Sequence, residues 1–414
     1  MTTAPAYPPP SYERLPDVEV VVVGGGPGGS AVAGCLAAAG HDVLLLDKAR
    51  FPRHKACSEY VNPEAVRILD RLGAGEAVRA RGPHRFNRMV VHAPGGGRFT
   101  ADFSCVEEGL FALGLSRYRL DEALLGHAES QGVAIQQGSH VRAVVCESER
   151  AVGVETTVDG RRETIRARLV VGADGRHSVV ARSLGQARTM PLLRQTGLVA
   201  HYQGVGGLAD HGELHVYRDG YAGLAPLEDG LTNVALVLGT DAVTSRPGPL
   251  ERFFEDELTL IPLVAERLHG AKRVGTIRGV GPMAHRARRS AGDGFLLVGD
   301  AAGFLDPFTG EGIYDALKAA QLAAPVAATA LRSRDTSAAA LEPYLRARRR
   351  AFFAKRQVCW IVQAFVHSPV LMDFVTRRLD RRDDVARTLT GVLGDVRPAW
   401  QALSPAFLGR LLLP

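Results

Sequence analysis

The sequence predicts an α/β protein: a parallel-sheet domain of alternating strands and helices, interrupted by a mixed, mainly antiparallel sheet and followed by a helical carboxyl-terminal segment. Three observations predict it. Residues 18–23 (VEVVVV) form a β-branched run that meets a glycine cluster and then small residues at helical spacing, the pattern of a doubly buried strand feeding a crossover helix. Residues 85–103 instead alternate apolar and polar around Gly95-Gly96-Gly97, which argues for an antiparallel hairpin. Residues 340–413 keep helical spacing, broken at Pro369, Pro398 and Pro405.

The elements follow in order. A helix over 30–39, closed by Gly40, joins the first strand to a second over 42–46 that ends at Asp47. After the hairpin, 117–130 returns to helical spacing, and short strands are expected at 133–135, 141–145, 152–158 and 164–168. The run 169–171 leads into Gly172-Ala173-Asp174-Gly175. Strands dominate 197–238, one helix is expected over 250–268, and a buried strand at 295–298 precedes a long helix over 312–331. No repeat or low-complexity region is present.

Composition narrows the function classes. At 414 residues, 46% apolar and 23% charged, with mean hydropathy near zero, the chain reads as a globular protein of two or three domains. The net charge is +6, and the basic residues are mostly arginines, clustered at 286–289, 346–356 and 377–382. Such runs are more often solvated helix faces than binding sites, and no nucleic-acid motif accompanies them, so no nucleic-acid partner is expected. Five cysteines without a CxxC pair fit a reducing cytoplasm. Residues 1–16, rich in Pro and Tyr, lack a signal-peptide layout and read as a flexible tail. No apolar run reaches the roughly 18 residues needed to span a bilayer, so a soluble or at most peripheral protein is expected.

The glycine cluster carries chemistry. Gly24, Gly26 and Gly29 satisfy GxGxxG between strand and helix. The first permits a tight turn, the second lets a pyrophosphate approach the backbone, and the third lets helix and sheet pack closely, with the phosphates at the helix amino terminus. Asp47, 23 positions after Gly24, is placed to accept hydrogen bonds from a ribose diol. A glycine-rich structural turn would account for the glycines alone, but not for strand, helix and acid in register. The expectation is dinucleotide binding in a Rossmann-like fold.

Two distant segments identify the dinucleotide. In RLVVGADGRHSVVARSLG, Asp174 and Gly175 end a strand; in LLVGDAAGFLDPFTGEGIYDAL, Asp300 ends a strand and Gly310-Glu311-Gly312 opens a helix. With these the chain resembles the superfamily of flavoprotein hydroxylases, of the p-hydroxybenzoate hydroxylase type, and geranylgeranyl reductases. Their GxGxxG, DG and GD motifs occur in this order. The resemblance covers most of the chain. It implies a glutathione-reductase-type FAD-binding domain, assembled from 17–75, 115–184 and 275–339. It further implies a substrate-binding sheet domain from 76–114 and 185–274, and a helical region over 340–414.

The resemblance also implies site roles. Asp300 with Gly299 would meet the ribityl chain, and Asp174 with Gly175 the pyrophosphate and ribose. Arg117, in the element RYRLD, would reach FAD, and Val141 would touch the adenine through its backbone. Pro27, Ser30, Lys48 and Arg53 complete the cradle, and Pro307 would line the isoalloxazine face. Independently, a helix opening at Gly310, Gly312 and Ile313 directs N–H groups to where the ring becomes anionic on reduction. A helix cap is the bland alternative for Asp300.

The reaction is less determined. The segment FPRHKACSE resembles the PxxxxCG(G/E) stretch of the reductases, with Ser58 in place of glycine, so Cys57 is either an active-site thiol or a buried small residue. The reductases' YxWxFP motif appears only as Tyr221-Ala222-Gly223-Leu224-Ala225-Pro226, and Tyr221 reads more readily as a plain strand residue. Halogenases of this superfamily carry WxWxIP, whereas the tryptophans here are Trp360 and Trp400, near the carboxyl end. No second Rossmann turn for NAD(P)H is present, so NAD(P)H is expected as a transient donor.

The leading expectation is an NAD(P)H-dependent monooxygenase, with molecular oxygen, hydroxylating an apolar or aromatic small molecule through a flavin C4a-hydroperoxide. The alternatives are a reductase of carbon–carbon double bonds with Cys57 on the proton-donating side, and an electron-transfer flavoprotein docking a redox-protein partner. The apolar, arginine-edged run 351–362 is expected to pack against the FAD domain; the alternatives are that it lines a channel for a greasy substrate or rests on a membrane surface. No metal site is expected.

Overall fold

The computed structural model describes residues 17–191, 193–217, 220–245 and 248–412; the expected tail, 1–16, lies outside them. The apolar run Val18–Val23 is the central strand of a parallel sheet, paired with Val43–Asp47 on one side and Arg161–Gly172 on the other. Ala134–Gln137 and Phe295–Leu297 extend it outward. In chain order the five parallel strands stand 3-2-1-4-5. The order reverses beside Val18–Val23, the topological switch point where open α/β sheets bind their ligands.

Helices Pro27–Ala38, Arg117–Ser130 and Gly312–Arg332 cover this sheet. The last buries Ala319, Ala320, Ala323 and Ala327, and these small side chains let it lie close against Pro27–Ala38. The first helix starts earlier than the spacing indicated, at Pro27. Proline at a first helical position has no N–H to leave unsatisfied.

Arg161–Gly172 is one twelve-residue strand rather than two. Its first half pairs antiparallel with Arg150–Val158, and its second half pairs parallel with Val18–Val23.

The second module is a seven-stranded mixed sheet running Lys272–Val280, Gln195–Gln203, Leu231–Gly239, Gly220–Pro226, His211–Tyr217, Arg88–His92 and Arg98–Asp102. The last two strands are the hairpin expected around Gly95 to Gly97. Lys272–Val280 pairs with Gln195–Gln203, so the chain returns to the nucleotide module after residue 280. The return expected at 275 would fall inside this strand.

One face of this sheet buries Leu198, Leu236 and Phe254 under helices Leu250–Thr259 and Pro262–Arg267. One helix was expected over 250–268; it is broken at Pro262, which has no N–H to continue it. The other face turns toward the nucleotide module and the carboxyl-terminal helices Ala338–Val366, Pro369–Asp380 and Asp383–Leu393, which contribute Val358, Met372 and Val392 to a shared core.

Candidate active site

Two connected cavities lie at the switch point. The first, about 1110 Å³, runs over the carboxyl ends of the parallel strands and is walled by Gly24, Asp47, Lys48, Arg53, Val141 and Asp174. The second, about 1280 Å³, lies between the nucleotide module and the seven-stranded sheet. Gly26, Lys55, Gly175 and Arg176 belong to both.

The first cavity is shaped by backbone. Gly24 has φ +104°, and a Cβ on Gly29 would stand 1.8 Å from the Gly24 carbonyl oxygen, so helix and turn touch with no room for a side chain. A Cβ on Gly26 would meet nothing closer than 3.6 Å, which leaves its backbone open to a ligand. Asp47 accepts hydrogen bonds from the N–H groups of Gly25 (2.7 Å) and Ala49 (2.8 Å), and so holds the turn while lining the cavity. Ser30 stands elsewhere than expected. Its hydroxyl donates to the Gly25 carbonyl at 3.1 Å, and the residue borders a separate groove with Cys35 and His127.

Asp174 accepts from the N–H groups of Val179 (2.6 Å) and Val180 (3.3 Å) through Oδ2, while its buried Oδ1 has no partner. Burial pushes its carboxyl above the usual range. An orphaned buried acceptor is costly unless a ligand donates to it.

The second cavity gathers the remaining expected residues. Gly299 (φ +56°) and Asp300 stand on one wall, and Pro307, Gly310, Gly312 and Ile313 on another. Gly310 has φ +67°, and a Cβ there would strike the Tyr60 ring at 2.4 Å. Neither helix Pro27–Ala38 nor helix Gly312–Arg332 has a side-chain cap. Two uncapped amino termini, each with free N–H groups and a positive dipole end, therefore border one cavity.

Cys57 lines this cavity with the Arg117 guanidinium against it. Arg117 is fixed by Asp121, which takes Nε and Nη2 at 2.7 Å each and also accepts from Arg53 at 2.8 Å. Burial opposes the charge on Arg117, but Asp121 and Cys57 outweigh it and keep the guanidinium ionised. The sequence reading missed Lys55, whose amine is held below its usual range by burial and by Arg117 and drawn back by Asp300. It also missed Glu59, which is 1% exposed at φ +57° and accepts from Arg117 N (2.8 Å), His201 Nε2 (2.5 Å) and Asn233 Nδ2 (2.9 Å). Asn233 Nδ2 also donates to the Cys57 carbonyl at 2.9 Å.

Tyr221 lines the cavity rather than serving only as a strand residue. Its hydroxyl donates to Asp306 Oδ1 at 2.9 Å, and burial pushes the Asp306 carboxyl up to about 6. Past Ser58, Tyr60 and Gly223 the cavity continues into an arm of about 710 Å³ walled by Met89, Val91, Phe103, Leu224 and Phe308. All five cysteines are free thiols.

A dinucleotide-binding oxidoreductase is the class that this fold and cavity define. Residues 17–357 match the family model described as FAD binding domain, and the chain belongs to that family. It is 32% identical over 341 residues to digeranylgeranylglycerophospholipid reductase 2 of Methanopyrus kandleri, covering 79% of this chain and 81% of that one. It is 31% identical over 407 residues to a menaquinone reductase of Mycobacterium tuberculosis, covering 90% and 95%. Among solved structures, a myxobacterial chondrochloren halogenase superposes with a TM-score of 0.78 at 26% identity, over 96% of this chain and 91% of that one. The cofactor is FAD. The residues present fit it: two free helix ends, the open backbone at Gly26 and the unpartnered Asp174 Oδ1 are the donors and acceptor that a diphosphate and a ribitol or ribose require.

Proposed function

We propose that the protein reduces a carbon–carbon double bond in an extended apolar substrate. The observation that carries this reading is that the Cys57 thiol shares one cavity with the two uncapped helix ends, and that this cavity continues into a mostly apolar arm. The names of the two reductase relatives support it. We place hydroxylation second, with molecular oxygen and an aromatic substrate, because those relatives are reductases by name. Halogenation is disfavoured, since neither Trp360 nor Trp400 lines the cavity.

Gly24, Gly26, Pro27 and the first helix end hold the diphosphate, and Asp47, Lys48 and Val141 hold the adenosine. Asp174, Gly175, Gly299 and Asp300 take the sugar chains, with Arg53, Lys55 and Arg117 supplying positive charge. Pro307, Gly310, Gly312 and Ile313 receive the ring system. Bound and reduced, FAD supplies a hydride; NAD(P)H or a redox protein supplies the electrons to it.

Cys57, with the Arg117 guanidinium against it, gives the proton that completes saturation. The arm walled by Met89, Phe103 and Phe308 keeps water from the alkene and aligns it.

The test is anaerobic turnover of the dithionite-reduced enzyme with isoprenoid and prenylated-quinone substrates. A product heavier by two hydrogens is expected. A product that gains one oxygen, formed only under air with NADPH, would overturn the reductase reading in favour of the hydroxylase.

A further inference from the structure

Among the described residues, seven of the twelve large apolar side chains left exposed lie in the carboxyl-terminal segment, between residues 353 and 412. Phe353, Trp360, Val370, Leu371, Phe374 and Trp400 are exposed by 58%, 38%, 80%, 43%, 44% and 60%. They include both tryptophans of the chain. These are not spare core positions. The opposite faces of the same helices already bury Val358, Val366, Met372, Val375 and Leu379.

The geometry is that of a corner. The chain bends by 114° across the short break between helices Ala338–Val366 and Pro369–Asp380. On the first helix Phe353, Arg356, Trp360, Ala364 and His367 are exposed at spacings of three or four, so they form one stripe. On the second, Val370, Leu371 and Phe374 occupy the exposed side of the opening turns, and Arg377 follows one turn later. No single helix among the described residues is long and apolar enough to cross a membrane.

Charge accompanies the apolar surface. Residues 341–414 contain thirteen Lys or Arg and six Asp or Glu, a net +7, whereas the chain as a whole carries +6. The entire positive excess therefore belongs to this segment. Tryptophan and phenylalanine interleaved with arginine are the combination suited to a water–lipid boundary, where rings sit at headgroup depth and guanidinium groups meet phosphates.

We propose that this corner docks on the surface of an anionic phospholipid bilayer, with Val370, Leu371 and Phe374 entering the headgroup layer and the flanking arginines pairing with lipid phosphates. In this arrangement the corner lies in the plane of the headgroups. This holds whichever reaction the cavity performs.

The experiment is vesicle flotation of the FAD-loaded full-length enzyme. One set of vesicles is phosphatidylcholine alone, and the other contains about a third phosphatidylglycerol. At least about tenfold stronger partition to the anionic vesicles is expected, weakened at high salt, with a blue shift of the tryptophan emission. Val370→Asp with Phe374→Asp should abolish flotation, and Arg350→Glu with Arg381→Glu should weaken it about tenfold or more. Both double variants should keep their bound FAD and melting temperature, because the four side chains are exposed. Equal partition to both vesicle types would overturn the proposal. So would undiminished flotation of the aspartate variant, or a dimer by light scattering that this variant dissociates while the parent protein ignores vesicles.

Discussion

Glu59 Oε2 stands 2.5 Å from His201 Nε2, joining the segment that carries Cys57 to a strand of the seven-stranded sheet. Glu59 is almost fully buried and sits in the left-handed region at φ +57°, which costs energy for a residue with a side chain. Its three hydrogen-bond donors offset that cost. Glu59→Gln keeps the size but turns an amide N–H group, a donor, toward one of them. We expect a loss of about 1–3 kcal/mol in denaturant unfolding, with a larger KM change than an unrelated surface variant of equal stability.

The same pair has a pH dependence. Burial lowers the affinity of His201 for its proton, but the Glu59 hydrogen bond and charge outweigh it and raise the pKa above 6.5. The raised value means stabilisation that is complete below the unfolded pKa of about 6.5 and lost as pH rises through the folded value. The difference in stability between wild type and His201→Gln should therefore shrink above neutrality. A constant difference between pH 5 and pH 9 would refute the ion pair.

Gly29→Ala tests the cradle. The added methyl carbon would lie 1.8 Å from the Gly24 carbonyl oxygen, backbone that cannot give way without opening the turn. Loss of bound flavin is expected, read as the ratio of visible to ultraviolet absorbance, together with roughly 1–3 kcal/mol of destabilisation. Gly40→Ala is a control for ordinary glycine effects: its Cβ would meet nothing within 4 Å, though its φ of +86° makes it mildly unfavourable.

Cys57→Ser separates chemistry from binding. The hydroxyl fits where the thiol stood but does not deliver a proton as readily, so turnover should fall by about 10² or more while flavin content stays unchanged. Unaltered turnover would reduce Cys57 to a packing residue.

Ala235→Phe addresses the apolar arm. Ala235 lines both the cavity and its extension, and a phenyl ring there narrows the connection. KM for long substrates should rise about tenfold, with short analogues little affected.

Much of this architecture was written locally. Strand, glycine turn and helix around Gly24 to Gly29 are fixed by residues adjacent in sequence, and the helices opening after Gly26 and Glu311 could be read from glycine and small-residue spacing. Pro262 was a legible break that helical spacing obscured. Glu59, His201 and Asn233 were not legible. Their meeting depends on pairing across the seven-stranded sheet, more than 140 positions along the chain. Lys55 was hidden for the same reason, since only folding brings its amine beside Gly175 and Asp300. Ser30 shows the converse error: a helix-start position suited to a phosphate donates inward to the turn it follows.

The strand Arg161–Gly172 sets a limit on how separable the parts of this molecule are. One end zips to Arg150–Val158 and the other to Val18–Val23. The peripheral hairpin and the nucleotide sheet therefore share a single unbroken beam. Engineers grafting that hairpin onto another scaffold would have to carry the beam with it, and a nick near Ile165 should disconnect both halves in one cooperative step instead of peeling off an appendage.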